Sequence, residues 1–190
     1  MTWIRSISET EASPELRTLY ERMRQSSSSG RVSHLWQAGS LDGKGLERIF
    51  DLYRTLMGDP APLSRAQSEA IAIVVSATSG CGYCVTHHGP KLAAALGDEG
   101  LARAIAMDYR TANLPARDRV LLDYAVALTC EPEERTAADL ERLREYGFDD
   151  PQILKATEIA AFYGMVNRLV LGLGIVHEPN RPAWEYSSPK

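Results

Sequence analysis

The sequence predicts an all-α fold built around a central antiparallel helical hairpin. Apolar residues recur at three- and four-residue spacing in one segment after another, and helix-start and helix-stop residues bracket those segments. No stretch shows the alternation of period two expected of a half-buried strand. At 190 residues, 44% of them hydrophobic, the chain is long enough to bury a core as one domain or two small ones.

The elements follow in order. Ser13-Pro14 is an N-cap followed by proline in the first turn, and it opens an amphipathic helix through Leu16, Leu19, Tyr20 and Met23. The serine run 26–30 reads as a flexible connection, so residues 1–30 form an N-terminal arm ahead of a helical domain at 31–178. Helices are expected around Val32 to Ala38 and Leu46 to Met57, the second striped by Ile49, Phe50, Tyr53 and Leu56, before "GDPAP" stops the chain. Ser64 with Gln67 makes a capping box for "RAQSEAIAIVVSAT", a helix apolar over most of its surface and therefore central. Ser79-Gly80 turns the chain, and Cys81 opens the next helix through Leu92 to Leu96.

Beyond the hairpin, "DRVLLDYAVALTC" is amphipathic through Val120, Leu121, Tyr124, Ala125 and Leu128, and ends on Cys130, read as a small core residue. Thr136 caps a shorter helix carrying Leu140, Leu143 and Tyr146, with Gly147 just past its end. Asp150-Pro151 starts the last helix, apolar nearly all round at Ile153, Leu154, Ile159, Phe162, Met165, Val166, Leu169 and Val170. One chain need not cover all of that surface, which points to a homo-oligomer. Residues 179–190 are a Pro-rich tail expected to lie over the surface.

Charge and composition narrow the function. The net charge of −4 is spread along the chain without a Lys/Arg cluster interleaved with aromatics, which argues against nucleic acid. No segment approaches the roughly 20 apolar residues that span a bilayer, and the amino terminus lacks a basic segment followed by an apolar run. A soluble, cytoplasmic protein is expected. In a reducing compartment, the C-x-x-C pair Cys81/Cys84 suggests redox chemistry or metal rather than a structural disulfide. Zinc wants four ligands, commonly from two separated pairs, and no second C-x-x-C or H-x-x-x-H is present.

Helical geometry selects the partners of this pair. At 100° per residue from Cys81, Cys84 and His88 fall at roughly 300° and 340°, so the three share one face, while His87 sits at its edge, structural or solvent-facing. Folding the preceding helix back through the short turn brings Glu69 to the height of His88. Glu69 lies in an apolar helix, where an unpartnered carboxylate is costly. A thiol that attacks an oxidant must lose its proton, because only the thiolate is nucleophilic. A histidine oriented by a carboxylate can accept that proton, and a second cysteine can condense with the resulting sulfenic acid. Nearness to the helix terminus favours Cys81 as the more acidic thiol, whereas alignment with the histidine favours Cys84.

The pattern E-x11-C-x-x-C-x-x-x-H, formed by Glu69, Cys81, Cys84 and His88, resembles the alkylhydroperoxidase D-like (AhpD-like) and carboxymuconolactone decarboxylase superfamily. "LSRAQSEAIAIVVSATSGCGYCVTHHGPKL" and "EIAAFYGMVNRLVLGLGI" are similar to segments of its uncharacterised peroxidase-related group. The resemblance covers residues 30 to 178 and implies an AhpD-like helical bundle, homo-oligomeric, acting as a peroxidase without haem, metal or other cofactor. It implies that Cys84 attacks the hydroperoxide, Cys81 resolves, and Glu69 and His88 relay the proton. A dithiol or lipoyl-type reductant would restore the pair. One departure is Tyr83, which stands between the cysteines where the prototype carries a histidine. Decarboxylase members typically lack the cysteine pair, which sets lactone decarboxylation second. A redox-sensing or metal-binding interaction module is the third reading.

Overall fold

A computed structural model describes residues 2–58 and 61–187 and contains no strand among them. Its helices are α1 (Pro14–Gln25), α2 (His34–Ala38), α3 (Gly43–Tyr53), α4 (Arg65–Thr78), α5 (Gly82–Leu96), α6 (Glu99–Asp108), α7 (Ala116–Cys130), α8 (Ala137–Glu145) and α9 (Asp150–Gly172). A π-helical turn at Arg54–Gly58 follows α3, and a 3-10 turn at Pro132–Glu134 follows α7. None of these helices is long and apolar enough to cross a membrane.

The chain divides into two units, residues 1–55 with 169–181, and residues 56–168 with 182–190. In the first unit the stripe anticipated on α1 is the buried one. Leu16, Leu19, Tyr20 and Met23 pack with Val32, Leu46 and Phe50, and Trp36 meets Phe50 and Tyr53 edge-on at 5.4 and 5.6 Å. Ser13 caps α1 by accepting from the Leu16 amide. The serine run forms hydrogen-bonded turns, with Ser27 accepting from the Gly30 amide at 3.1 Å. The helix expected to run to Met57 instead changes to a π turn after Tyr53, and its "GDPAP" stop includes Asp59 and Pro60, which lie outside the described residues.

The second unit is organised around α4, buried without interruption from Ser68 to Thr78. The Ser64/Gln67 capping box starts it as expected. Its end is a Schellman turn: Gly80 takes φ +72°, its amide donates to Ala77, and the Cys81 amide donates to the Ser76 carbonyl at 2.8 Å. That reversal lays α5 antiparallel to α4, with α6 and α7 packed around the pair. Helix α6 falls in a stretch where the sequence reading placed no element; Asp98 caps it, accepting from the Leu101 amide at 2.9 Å. α8 ends as anticipated at Gly147 (φ +83°), and Leu143 is its buried residue while Tyr146 is exposed.

Two expectations are corrected. Cys130 is exposed, because α7 turns that face outward in its last turn. The tail does not simply lie over the surface: Trp184 is buried against Gly89 of α5, where a Cβ would overlap the indole. Its backbone amide donates to Thr86 Oγ1 at 3.0 Å, and the Arg103 guanidinium stacks 4.1 Å over its ring.

Candidate functional site

Each side of the hairpin supplies one half of a buried polar pair. Glu69 sits one turn into α4 and is fully buried, and His88 lies two turns into α5. Glu69 Oε2 is 2.6 Å from His88 Nδ1, so the height match read from the helical rise is met. The other carboxylate oxygen lies 2.9 Å from Arg65 Nη2, one turn back on α4, and Arg65 also donates to the Met57 carbonyl. Burial pushes Glu69 up, but His88, Lys91 and Arg65 outweigh it and hold the carboxyl below its ordinary value. Burial depresses His88 to about 4, more than the attraction of Glu69 can offset.

Glu69 is therefore a carboxylate and His88 a neutral imidazole near pH 7. This fixes the tautomer. A carboxylate only accepts, so Nδ1 carries the hydrogen and donates it to Glu69, and Nε2 keeps its lone pair. That lone pair is occupied: the Tyr163 hydroxyl of α9 donates to Nε2 at 2.9 Å, with the two rings edge-on at 4.8 Å.

The thiols lie closer to the bend. Cys81 is the N-cap residue of α5, Cys84 is in its first turn, both are buried, and their sulfurs are 3.0 Å apart. The Cys84 thiol, then the Cys84 and Tyr83 backbone amides, pull Cys81 below the ordinary thiol value despite burial. The same sulfur contact, with burial and the charge on Cys81, pushes Cys84 well above it, while the Ser76 hydroxyl works in the opposite direction. Of the two thiols Cys81 is therefore the more acidic, as proximity to the helix terminus suggests. Ser76 in turn donates to Asn167 Oδ1 at 3.0 Å, and Asn167 donates to the Val75 carbonyl at 3.4 Å.

The structure thus joins Glu69 to His88 and Cys81 to Cys84, while both nitrogens of His88 are taken by Glu69 and Tyr163 rather than by a sulfur. Tyr163, Ser76 and Asn167 are the polar members that sequence reasoning missed. Tyr163 is one ring among many apolar residues in α9, and only Asn167, an amide within the apolar second half of that helix, carried a signal. His87 is half-buried and stacks on Tyr83 at 4.3 Å. Among the described residues no three His, Cys, Asp or Glu side chains converge as a metal-ligand group.

An all-helical fold with this hairpin defines an AhpD-like protein. The model of the carboxymuconolactone decarboxylase family matches residues 44–107, a span that contains the whole hairpin. Among solved structures, an uncharacterized peroxidase-related protein from Silicibacter sp. TM1040 is 30% identical with a TM-score of 0.84, over 95% of this chain and 93% of that one. An alkylhydroperoxidase AhpD core protein, also an uncharacterized peroxidase-related protein, from Ralstonia eutropha JMP134 is 25% identical with a TM-score of 0.85, over 94% and 93%. The debrominase Bmp8 in its apo form shares the fold at 18% identity and a TM-score of 0.74, over 92% and 91%. A search of curated proteins found no match. The chain belongs to the AhpD-like and carboxymuconolactone decarboxylase superfamily.

Proposed function

We propose that the protein is a cofactor-free thiol peroxidase that reduces hydroperoxides through Cys81 and Cys84, with Glu69 and His88 handling the proton. The observation that carries this reading is the buried dithiol at 3.0 Å in the first turn of α5, one helical turn from a histidine held by a buried carboxylate. The peroxidase-related relatives support a hydroperoxide as the kind of substrate.

In this scheme Cys84 attacks and Cys81 resolves. Burial and Cys81 keep the Cys84 proton in place, which defines the task of the relay: a neutral His88, charge-stabilised by Glu69 once protonated, draws that proton away. The Cys84 sulfur attacks one peroxide oxygen, the O–O bond breaks, and the leaving alkoxide takes the proton back as an alcohol. Cys81 then attacks the sulfenic sulfur, forming the S–S bond and releasing water. A dithiol or lipoyl-type reductant returns the pair to its starting state, and the active form is a homo-oligomer in the cytoplasm.

Stopped-flow mixing of the pre-reduced protein with hydrogen peroxide and with tert-butyl hydroperoxide tests the reading. One equivalent of peroxide is consumed per chain, with a Cys81–Cys84 disulfide as product. Cys84→Ser abolishes the reaction, whereas Cys81→Ser allows a single turnover that ends at the sulfenic acid. A pre-reduced protein that consumes neither peroxide refutes the peroxidase assignment.

A further inference from the structure

We propose that Tyr163 is the third member of the relay, the positioning residue through whose hydroxyl His88 exchanges its proton with the reacting thiol and peroxide. The inference rests on the thiol peroxidase reading and adds to it a residue outside the four-residue motif and outside the matched family segment 44–107.

Neutral imidazole has one N–H and one lone pair. Nδ1–H is committed to Glu69 at 2.6 Å, and the lone pair of Nε2 faces the Tyr163 hydroxyl at 2.9 Å. A proton that reaches Nε2 must therefore pass by way of the Tyr163 oxygen. The phenol gives its own hydrogen to Nε2 as it takes one from the thiol, leaving an imidazolium against the Glu69 carboxylate. After the O–O bond breaks, Tyr163 passes its hydrogen to the alkoxide and recovers one from Nε2. The sum is thiol plus hydroperoxide giving sulfenic acid plus alcohol, and the peroxide is the only oxidant.

The placement of α9 makes this a built feature of the site. Tyr163 is buried, its ring locked edge-on against His88 at 4.8 Å and against Phe162 at 5.5 Å. One turn on, at the i+4 position of the same face, Asn167 accepts the Ser76 hydroxyl that acts on Cys84. Between and beyond them Phe162, Val166 and Val170 are buried and apolar. α9 thus meets the two polar levels of the hairpin with Tyr163 and Asn167. The ionisable groups around His88 are Glu69 and Arg65 from α4, His87 and Lys91 from α5, and Tyr163 from α9.

Tyr163→Phe keeps the ring and removes the hydroxyl. With tert-butyl hydroperoxide and pre-reduced protein, Tyr163→Phe and Glu69→Gln are each expected to slow the reaction by roughly 10², the range for losing a general acid–base element. The double variant should be no slower than the worse single one, since both cut the same chain. A purely packing role predicts losses that multiply, toward about 10⁴, and that result overturns the assignment, as does a Tyr163→Phe rate within twofold of the parent. The nitrogen resonance of His88 Nε2 supplies a readout independent of peroxide: loss of its donor moves that resonance and raises the titration midpoint of the ring, and an unmoved midpoint overturns the assignment. If Tyr163→Phe does not fold, a fluorinated tyrosine at 163 keeps the packing and lowers the phenol pKa. The rate against pH then follows the phenol, and an unchanged profile counts against the relay. A parent that consumes no hydroperoxide sinks the peroxidase reading and this relay together, whereas a reactive parent matched by Tyr163→Phe sinks the Tyr163 assignment alone.

Discussion

Acidification should destabilise this fold well before ordinary carboxylates titrate, and the cause is His88. Buried between Glu69 and Tyr163, its ring is neutral down to about 4, against an ordinary value of 6.5. Below pH 6.5 the unfolded chain takes up a proton at this position and the folded chain refuses it. The unfolded state binds more protons throughout that window, so stability rises with pH there. The contribution is complete above 6.5, falls as the pH drops, and levels off near 4. At 1.36 kcal/mol per pH unit the gap corresponds to roughly 3 kcal/mol, a large share of the 5–15 kcal/mol typical of a domain. Glu69 acts in the same sense at lower pH, since its carboxyl is held below 4.5 and its contribution is lost as pH falls beneath that value. His177 is also depressed by partial burial and adds a smaller slope in the same window. Urea unfolding at constant ionic strength at pH 7, 6, 5 and 4.5 measures the effect, with His88→Asn as the control that removes most of the slope. A stability independent of pH from 6.5 to 4.5, or an equal slope in His88→Asn, would falsify the account of a buried neutral imidazole.

Mild oxidation should link Cys81 to Cys84 reversibly and leave Cys130 free; with Cys130 exposed, it alone should alkylate rapidly in the oxidised protein, and peptide mapping that finds Cys130 in the dominant disulfide contradicts this. Gly89→Ala drives a methyl into the Trp184 indole and should destabilise the protein by about 1–3 kcal/mol, the usual cost of overpacking. Tryptophan emission should shift to the red at the same time, and an unchanged spectrum with unchanged stability would show that the tail does not pack on α5. Light scattering at micromolar concentration should give a multiple of the 21.0 kDa chain mass, with Leu154 and Met165 on the exposed face of α9 as candidates for the contact; a monomer refutes it.

The sequence by itself determined the helical class, the hairpin and the register of its chemistry. Glu69, Cys81, Cys84 and His88 are local on two helices joined by a two-residue turn, so the 1.5 Å rise and the 100° rotation suffice to pair Glu69 with His88 and to put the sulfurs on the same face. The starts of α1 and α4 were equally legible, because the Ser13 and Ser64 hydroxyls accept from amides three residues on, and Asp139 accepts from the Thr136 amide at the start of α8. What comes from distant parts of the chain was decided only by tertiary structure. Tyr163 is 75 residues from His88 and Asn167 is 91 from Ser76, and helical periodicity carries no information on which helix docks there. The same holds for Trp184, 98 residues from Thr86, whose burial depends on Gly89 leaving room for the indole. Cys130 fell to the exposed side for a related reason: the last turn of α7, Val126 to Cys130, carries no charged residue, so its pattern does not say which way that turn faces, and packing against α4 and α8 decides it.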